Sequence, residues 1–448
     1  MQGLMKAAIV HEFGKPLLIE TIPIPVPGPG ELLVKVAACG VCHTDLHAAS
    51  GDWPVKPSLP FIPGHEVAGT VAALGPGVTD FAIGDAVGIA WLHDACMRCE
   101  HCETGWETLC KHQHNTGYSC DGGFAEYAIA NAAFAARLPD DVDFAAVAPI
   151  LCAGVTTYKG LKETEARPGQ WVAISGIGGL GQVAIQYAKA MGLKVVALDL
   201  ASEKLTLARR TGADLALDAR SPDAIAEALE ATGGGAHGVL VTAVSPPAFS
   251  QALQLVRRKG TVALVGLPPG EFATPIFDVV LKRITVRGSI VGTRRDLDEA
   301  IAFFAEGKIK AQVTPAPLED INRIFEELKA GRVEGRVVLA DALSLQVGAI
   351  GFENHRASIW SAGVPFIMIP VHGRTEVDSL EFDPGLWEKV APFADGGLAA
   401  AYVYCRGGTH HHAKFHARMF SPDMGITEDP ATGSAVAALA GAVHHFDA

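Results

Sequence analysis

Residues 171–181 read Trp-Val-Ala-Ile-Ser-Gly-Ile-Gly-Gly-Leu-Gly, and a helical pattern follows from Gln182 to Met191. A run of strand formers that enters Gly-x-Gly-x-x-Gly and leaves as a helix is the context that motif requires. Gly176 permits the tight turn, Gly178 lets backbone approach a pyrophosphate, and Gly181 lets the helix pack on the sheet, with Gly179 and Leu180 completing the turn. The next strand, Lys194 to Leu198, runs into Asp199. A carboxylate there can accept from both ribose hydroxyls and would repel a 2′-phosphate, so NAD is expected over NADP. Strand-like runs at Gly238 to Thr242 and Thr261 to Val265, with helical patterns between, extend this to a doubly wound parallel sheet over 156–285.

On either side the rhythm differs. From Met5 to about residue 140 the chain consists of short β-like runs between Gly and Pro turns: Lys6 to His11, Leu32 to Ala38, Glu66 to Leu74, Ala86 to Ala90 and Phe124 to Ala130. This predicts a small β-barrel over 1–155, completed by 286–341, where a helix around Asp296 to Glu306 precedes a strand at Gly335 to Leu339. After Asp341 the vocabulary shifts again: eight of the 17 histidines fall in 343–448, which is treated as a separate unit.

Composition narrows the function. A chain of 448 residues with 49% hydrophobic and 19% charged residues exceeds one core, so two or three domains are expected. The formal charge of -13 repels phosphate backbones and anionic lipid, which argues against nucleic-acid and membrane partners and for small molecules. The start lacks a basic region followed by an apolar run, and the longest uncharged stretches are broken by Gly, Ser and Pro, so a cytoplasmic address is expected.

The nine cysteines point to metal. Cys96, Cys99, Cys102 and Cys110 form C-x2-C-x2-C-x7-C, which suits a closed tetrahedral structural zinc. A second set is dispersed: Cys42, His65 and Cys152 together offer two thiolates and an imidazole, leaving a fourth zinc position for water or substrate, with Glu66 adjacent and able to enter transiently. Taken singly, each of these residues also reads as an ordinary buried side chain.

With these motifs in order, residues 1–341 resemble the zinc-dependent medium-chain alcohol dehydrogenases, nearest the yeast and bacterial ethanol-type enzymes. The strings that carry the resemblance are Cys39-Gly-Val-Cys-His-Thr-Asp-Leu-His47, Gly51-Asp-Trp-Pro54, Pro63-Gly-His-Glu66, the four-cysteine lobe and Gly335-Arg-Val-Val338. The resemblance implies a GroES-like barrel beside a Rossmann domain, two zinc ions per chain, and reversible hydride transfer between NAD and small primary alcohols. It assigns Cys42, His65 and Cys152 to the catalytic zinc, Thr44 and His47 to a proton relay, and Asp45 to the orientation of His65. His43 and Arg336 match cations near the pyrophosphate, Lys204 an adenosine-ribose contact and Thr156 a nicotinamide contact, while Val265 and Val291 join the cofactor-binding set. Trp53 and Trp91 match positions that restrict the substrate pocket, although both also suit aromatic core packing. A homo-oligomer, tetramer or dimer, is implied as well.

The last hundred residues depart from that family. Phe420 to Ala435, above all Asp429-Pro-Ala-Thr-Gly-Ser434, resembles the second half of PhzF-like isomerases of the diaminopimelate-epimerase fold. Asp429, Thr432, Gly433 and Ser434 match active-site motif positions there, and Thr432 to Ser434 looks like an anion-binding helix start. The first half of that fold is missing, so a partial α+β segment with uncovered sheet edges and an uncovered apolar helix face is expected. Its role stays open between a second, metabolite-binding or isomerising activity and an interaction module. His410 to His412 and His416 read either as a metal-binding run or as a solvated strand.

Overall fold

The computed structural model describes residues 3–333 and 335–340. Beyond these it describes 358–361, 365–371, 373–380, 382–384, 387, 393–394, 397–407, 415–421, 426–429, 438–440 and 442–443. Its centre is a six-stranded parallel sheet in the order Leu215–Asp218, Lys194–Asp199, Trp171–Ser175, Ala236–Val241, Val256–Leu264 and Thr285–Gly288. The inner strands are apolar on both faces because both faces are covered. Alternation shows this directly: Val172, Ile174, Val195 and Ala197 join one core, whereas Ala173, Val196, Leu198 and Val239 join the core opposite.

Strand order reverses between Trp171–Ser175 and Ala236–Val241, and the crevice outside the strand ends at such a switch is where ligands bind in these sheets. The glycine turn lies there. A Cβ on Gly181 would sit 1.9 Å from the Gly176 carbonyl oxygen, and Gly176 has φ +94°, so neither position tolerates a side chain. The following helix, Gly181–Ala190, starts one residue earlier than its sequence pattern suggests, because Gly181 is its first packed turn.

The second sheet orders Val313–Ala316, Arg336–Ala340, Glu31–Val41, Val67–Leu74, Ala86–Ile89 and Ala136–Arg137. Its long strand Glu31–Val41 takes Tyr127–Asn131 along its first half and Arg336–Ala340 along its second. The boundary expected at 285 thus shifts: Thr285–Gly288 stays in the parallel sheet, and the chain rejoins the N-terminal barrel through Val313–Ala316 and Arg336–Ala340. The strand expected from Glu66 begins at Val67, one residue later, although the Glu66 carbonyl still accepts from the Gly40 amide of the neighbouring strand at 3.1 Å. Two helices join the sheets: Ala153–Glu163 and Arg294–Ala305 are riveted by Lys159 and Lys162 to Asp296, and by Lys162 to Glu299.

In the C-terminal unit a five-stranded sheet runs in the order Ser358–Ser361, Pro365–Pro370, Ala400–Arg406, Phe415–Ser421 and Ile426–Asp429. The expected open edges are the outer strands Ser358–Ser361 and Ile426–Asp429, while both faces of the sheet are packed among the described residues. Val377, Leu380 and Trp387 cover one face and Ala438 and Ala442 the other, so both sides of the Ala400–Arg406 strand are buried.

Among the described residues, the three large cores of residues 3–340 contain none beyond 340, although Ala340 also packs against the C-terminal unit. A chain ending at residue 342 should therefore melt within about 3 °C of the full-length protein by calorimetry, the shift that about 2 kcal/mol produces at this size. A larger drop would mean that the C-terminal unit supports the rest.

Candidate active site and metal centres

The helix His43–Ser50 opens directly after Cys42 at the end of strand Glu31–Val41, and its first turn delivers Asp45 back beneath the strand. The Asp45 carboxylate is completely buried and accepts three bonds: His65 Nδ1–H at 2.7 Å, the Gly64 amide at 3.1 Å and the Cys42 amide at 2.8 Å. With Nδ1 donating, His65 presents Nε2 as a lone pair, 3.2 Å from Cys152 Sγ. Cys152 precedes the helix Ala153–Glu163 and arrives from the other side. One ligand-type atom from each of Cys42, His65, Glu66 and Cys152 lies within 4.8 Å of the others, all four buried.

Apolar surroundings would be hostile to this set without a cation. Both Glu66 oxygens lack a hydrogen-bond partner among the described residues, and Arg336 Nη2 stands 3.2 Å from Oε1 as an ion pair without hydrogen-bond alignment. Burial lifts the Glu66 carboxyl to about 7 even against the Arg336 charge. A hydrogen bond from the Cys152 thiol holds Cys42 well below the usual thiol range, and the same bond raises Cys152. Burial lowers the proton affinity of His65, yet Asp45 outweighs it and the net shift is well upward. Two thiol groups, an imidazole and an orphaned carboxylate fit a tetrahedral zinc with one exchangeable position.

Four thiols of a second cluster, Cys96, Cys99, Cys102 and Cys110, also come within 4.8 Å of one another. The Cys96 and His112 amides point at Cys110 Sγ from 3.5 and 3.4 Å, as donors to a thiolate do. The Arg98 amide brings Cys96 down to about 6. This closed all-sulfur set fits a structural zinc. Cys39, Cys120 and Cys405 are free and lie in neither cluster.

Around the first cluster the rings form a continuous wall. His47 stacks on Trp53 at 5.5 Å, Trp53 meets Tyr118 at 5.9 Å, Tyr118 meets Trp91 at 5.5 Å, and Trp91 stands edge-on to His65 at 5.3 Å. His47 Nδ1–H donates to Asp52 at 3.0 Å. Thr44 lies one turn before His47, half-buried, and His43 is exposed.

At the glycine turn, Asp199 Oδ2 accepts from the Ile177 amide at 2.6 Å and Oδ1 from Leu200 and Ala201. Lys204 is half-buried in the next helix, Ser202–Arg210. Gly178 opens on empty space, and a Cβ on Gly179 would lie 3.5 Å from the Arg336 guanidinium carbon, so that cation faces the turn. Arg336 Nε, Thr156 Oγ1 and Gln182 Nε2 are buried without a partner among the described residues, as polar groups that await a ligand are. Val265 follows strand Val256–Leu264, and Val291 adopts φ +39°, an outlier for a β-branched residue.

These arrangements agree with two sequence families: residues 28–140 match the alcohol dehydrogenase GroES-like domain, and residues 179–306 match zinc-binding dehydrogenases. An alcohol dehydrogenase of Rhizobium meliloti is 61% identical over 335 residues, covering 75% of this chain and 98% of that one. The chain belongs to the zinc-binding alcohol dehydrogenases. Among solved members of this fold, the alcohol dehydrogenase of the archaeon Aeropyrum pernix superposes with a TM-score of 0.69 at 36% identity, covering 75% of this chain and 100% of that one. The acetophenone reductase of Geotrichum candidum, solved with NAD, gives 0.68 at 32% identity over 75% of this chain and 97% of that one. Residues 331–446 of the dehydrogenase match a different family, described as phenazine biosynthesis-like protein.

Four contributors escape the sequence reading. Asp52 stands beside Trp53 in a quoted string but has no metal or cofactor pattern. Tyr118 acts through contacts to Trp53 and Trp91, which are distant in sequence. Gly40 makes room for Glu66, whose Oε2 would lie 1.8 Å from a Cβ there. Glu107 sits inside the cysteine lobe and is buried. In the other direction, Thr432, Gly433, Ser434 and His410 to His412 lie outside the described residues, and Asp429 ends the strand Ile426–Asp429.

Replacing Asp45 with Asn leaves His65 free to turn and exchanges a carboxylate for an amide. Metal retention at this cluster, measured by chelator competition, should weaken by about 10–100-fold while the four-cysteine cluster keeps its metal.

Proposed function

We propose that this dehydrogenase interconverts small primary alcohols, ethanol among them, and aldehydes with NAD, using a catalytic zinc on Cys42, His65 and Cys152 and a structural zinc on Cys96, Cys99, Cys102 and Cys110. The observation that carries the reading is the buried donor cluster beside Thr44 and His47, walled by two indoles. Zinc held there would supply a Lewis acid that lowers the proton affinity of a bound alcohol. The chain's own residues do the rest. Asp45 keeps His65 in the Nε2-binding tautomer, and Glu66 stands by as an alternate ligand. The Thr44 hydroxyl takes the alcohol proton and passes it toward His47, whose Nδ1–H is anchored on Asp52. Trp53 and Trp91, held apart by the Tyr118 ring, limit the length of the alkyl chain.

For the cofactor, the Gly176–Gly181 turn and the Arg336 and His43 cations receive the pyrophosphate. Asp199 and Lys204 hold the adenosine ribose, while Thr156, Val265 and Val291 line the nicotinamide side. NAD held there would supply the hydride acceptor, and these side chains would keep water out of the cleft between it and the alcohol carbon. The Asp199 carboxylate supports NAD over NADP, since a 2′-phosphate there would face a like charge.

A homo-oligomer is part of this reading. Strand Thr285–Gly288 is the outer strand of the parallel sheet, and the preceding helix Ile276–Lys282 buries none of its residues, with Ile276 and Phe277 80% and 78% exposed. An unpaired edge flanked by an apolar face calls for a second copy.

Ethanol-dependent NADH formation that disappears in Cys42→Ala tests the activity; its absence in protein carrying two zinc ions per chain would refute it. In Asp199→Ala, kcat/KM for NAD should fall by about 10–100-fold, the loss of hydrogen bonds to a charged group, and the NADP value should rise. Phe277→Asp should shift sedimentation toward the monomer.

A further inference from the structure

The four-cysteine lobe does more than close on itself. Between Cys102 and Cys110 it forms a one-turn helix, Glu107–Leu109, and this stretch touches two helices, Arg294–Ala305 through Glu107 and Ala153–Glu163 through Trp106. Glu107 is buried, and its Oε1 accepts from the Arg294 backbone amide at 3.1 Å and from Arg294 Nε at 3.2 Å. The Arg294 amide is one of the donors that the start of helix Arg294–Ala305 leaves without an internal partner, so a carboxylate is well matched to it. The guanidinium is held from its other sides by the Ala133 carbonyl at 3.0 Å and the Phe134 ring at 4.6 Å.

Immediately before Arg294 comes the segment Val291-Gly-Thr293. Val291 has the outlying φ of +39°, a conformation that persists only where surroundings over-determine it. Gly292 is wedged so closely that a Cβ would lie 2.5 Å from Val155, and Thr293 and Asp296 cap each other. Trp91, Val291, Gly292 and Arg294 share the lining of one void of about 10 Å³, so the segment presses against the pocket wall. The neighbouring Trp106 ring carries the Lys159 ammonium at 4.3 Å, and Lys159 lies on the helix that follows Cys152. The lobe thus grips both helices whose first turns face the cleft.

We propose that Glu107 is a positioning residue through which the four-cysteine lobe holds residues 291–294 in the shape that cofactor binding requires. The inference rests on the NAD reading above, and it makes the structural metal a determinant of cofactor affinity as well as of stability. Without the carboxylate, Arg294 loses its charged partner and its backbone amide loses its acceptor, while the Thr293–Asp296 cap remains, and Val291 is free to relax out of its strained conformation.

The test uses the full-length zinc-loaded protein, with Glu107→Ala, Glu107→Gln and Arg294→Ala. Glu107→Ala is expected to speed amide exchange over 291–297 by about tenfold. NADH affinity should weaken by about fivefold or more, with KM for the cofactor rising while kcat stays within about twofold. Glu107→Gln, which keeps an acceptor, should recover part of the loss, and Arg294→Ala should reproduce it with the lobe untouched. Unchanged exchange in both alanine variants overturns the clamp, and faster exchange with unchanged NADH affinity overturns its link to the cofactor. If Glu107→Ala sheds lobe zinc, Arg294→Ala decides between these outcomes. Should the wild type bind no dinucleotide, the NAD reading and the link to cofactor binding both fail, while the exchange data still decide the clamp.

Discussion

A single buried carboxylate organises this molecule. Asp45 ties the amide of Cys42, the amide of Gly64 and the ring of His65 to one point, so two segments far apart in sequence acquire a fixed separation. Carboxylates are rarely buried without such compensation, and here three donors supply it. Cys42 and His65 are held in place by this group, and Glu66 follows His65 into the interior. Because Glu66 must be accommodated, position 40 is glycine and Arg336 is drawn in opposite. The polar interior of the barrel is therefore one connected arrangement in which a change at any member leaves another without its partner.

Much of this was legible in sequence because the motifs are local. The glycine turn, the four closely spaced cysteines and the apolar strands each state their geometry within a few residues, and the parallel sheet, barrel and returning strand appear accordingly. What was not legible depends on distance in the chain. Tyr118 earns its place only through rings at Trp53 and Trp91, and Glu107 only through Arg294; neither spacing nor periodicity encodes such pairs. Element ends also shifted by a residue where tertiary packing sets them, as at Glu66, which bonds to Gly40 outside the assigned strand, and at Gly181, which opens its helix. In the C-terminal unit, the packing of both faces of the sheet by residues such as Val377, Trp387, Ala438 and Ala442 depends on contacts between distant segments that no local pattern states.

The two cysteine-bearing regions differ in the physics they use. The four-thiol lobe is half-exposed, and its backbone amides point at sulfur, as suits a closed site in which every position is protein. The other cluster is dry, charged and incompletely satisfied, a state that costs stability and is kept where a ligand completes it. Packing links them: the lobe touches helices Ala153–Glu163 and Arg294–Ala305, which are themselves joined by buried and half-buried ion pairs. The rigid part of the molecule thus extends from the lobe to the mouth of the cleft.

Strand Arg336–Ala340 has a consequence for how the chain is made. It pairs with Glu31–Val41, and the Arg336 side chain bonds to a carbonyl 295 residues earlier. During synthesis the barrel must wait, with one strand edge open and Glu66 lacking its counter-charge, until nearly the whole dehydrogenase has left the ribosome. Such long-range closure is slow and exposes unpaired edges.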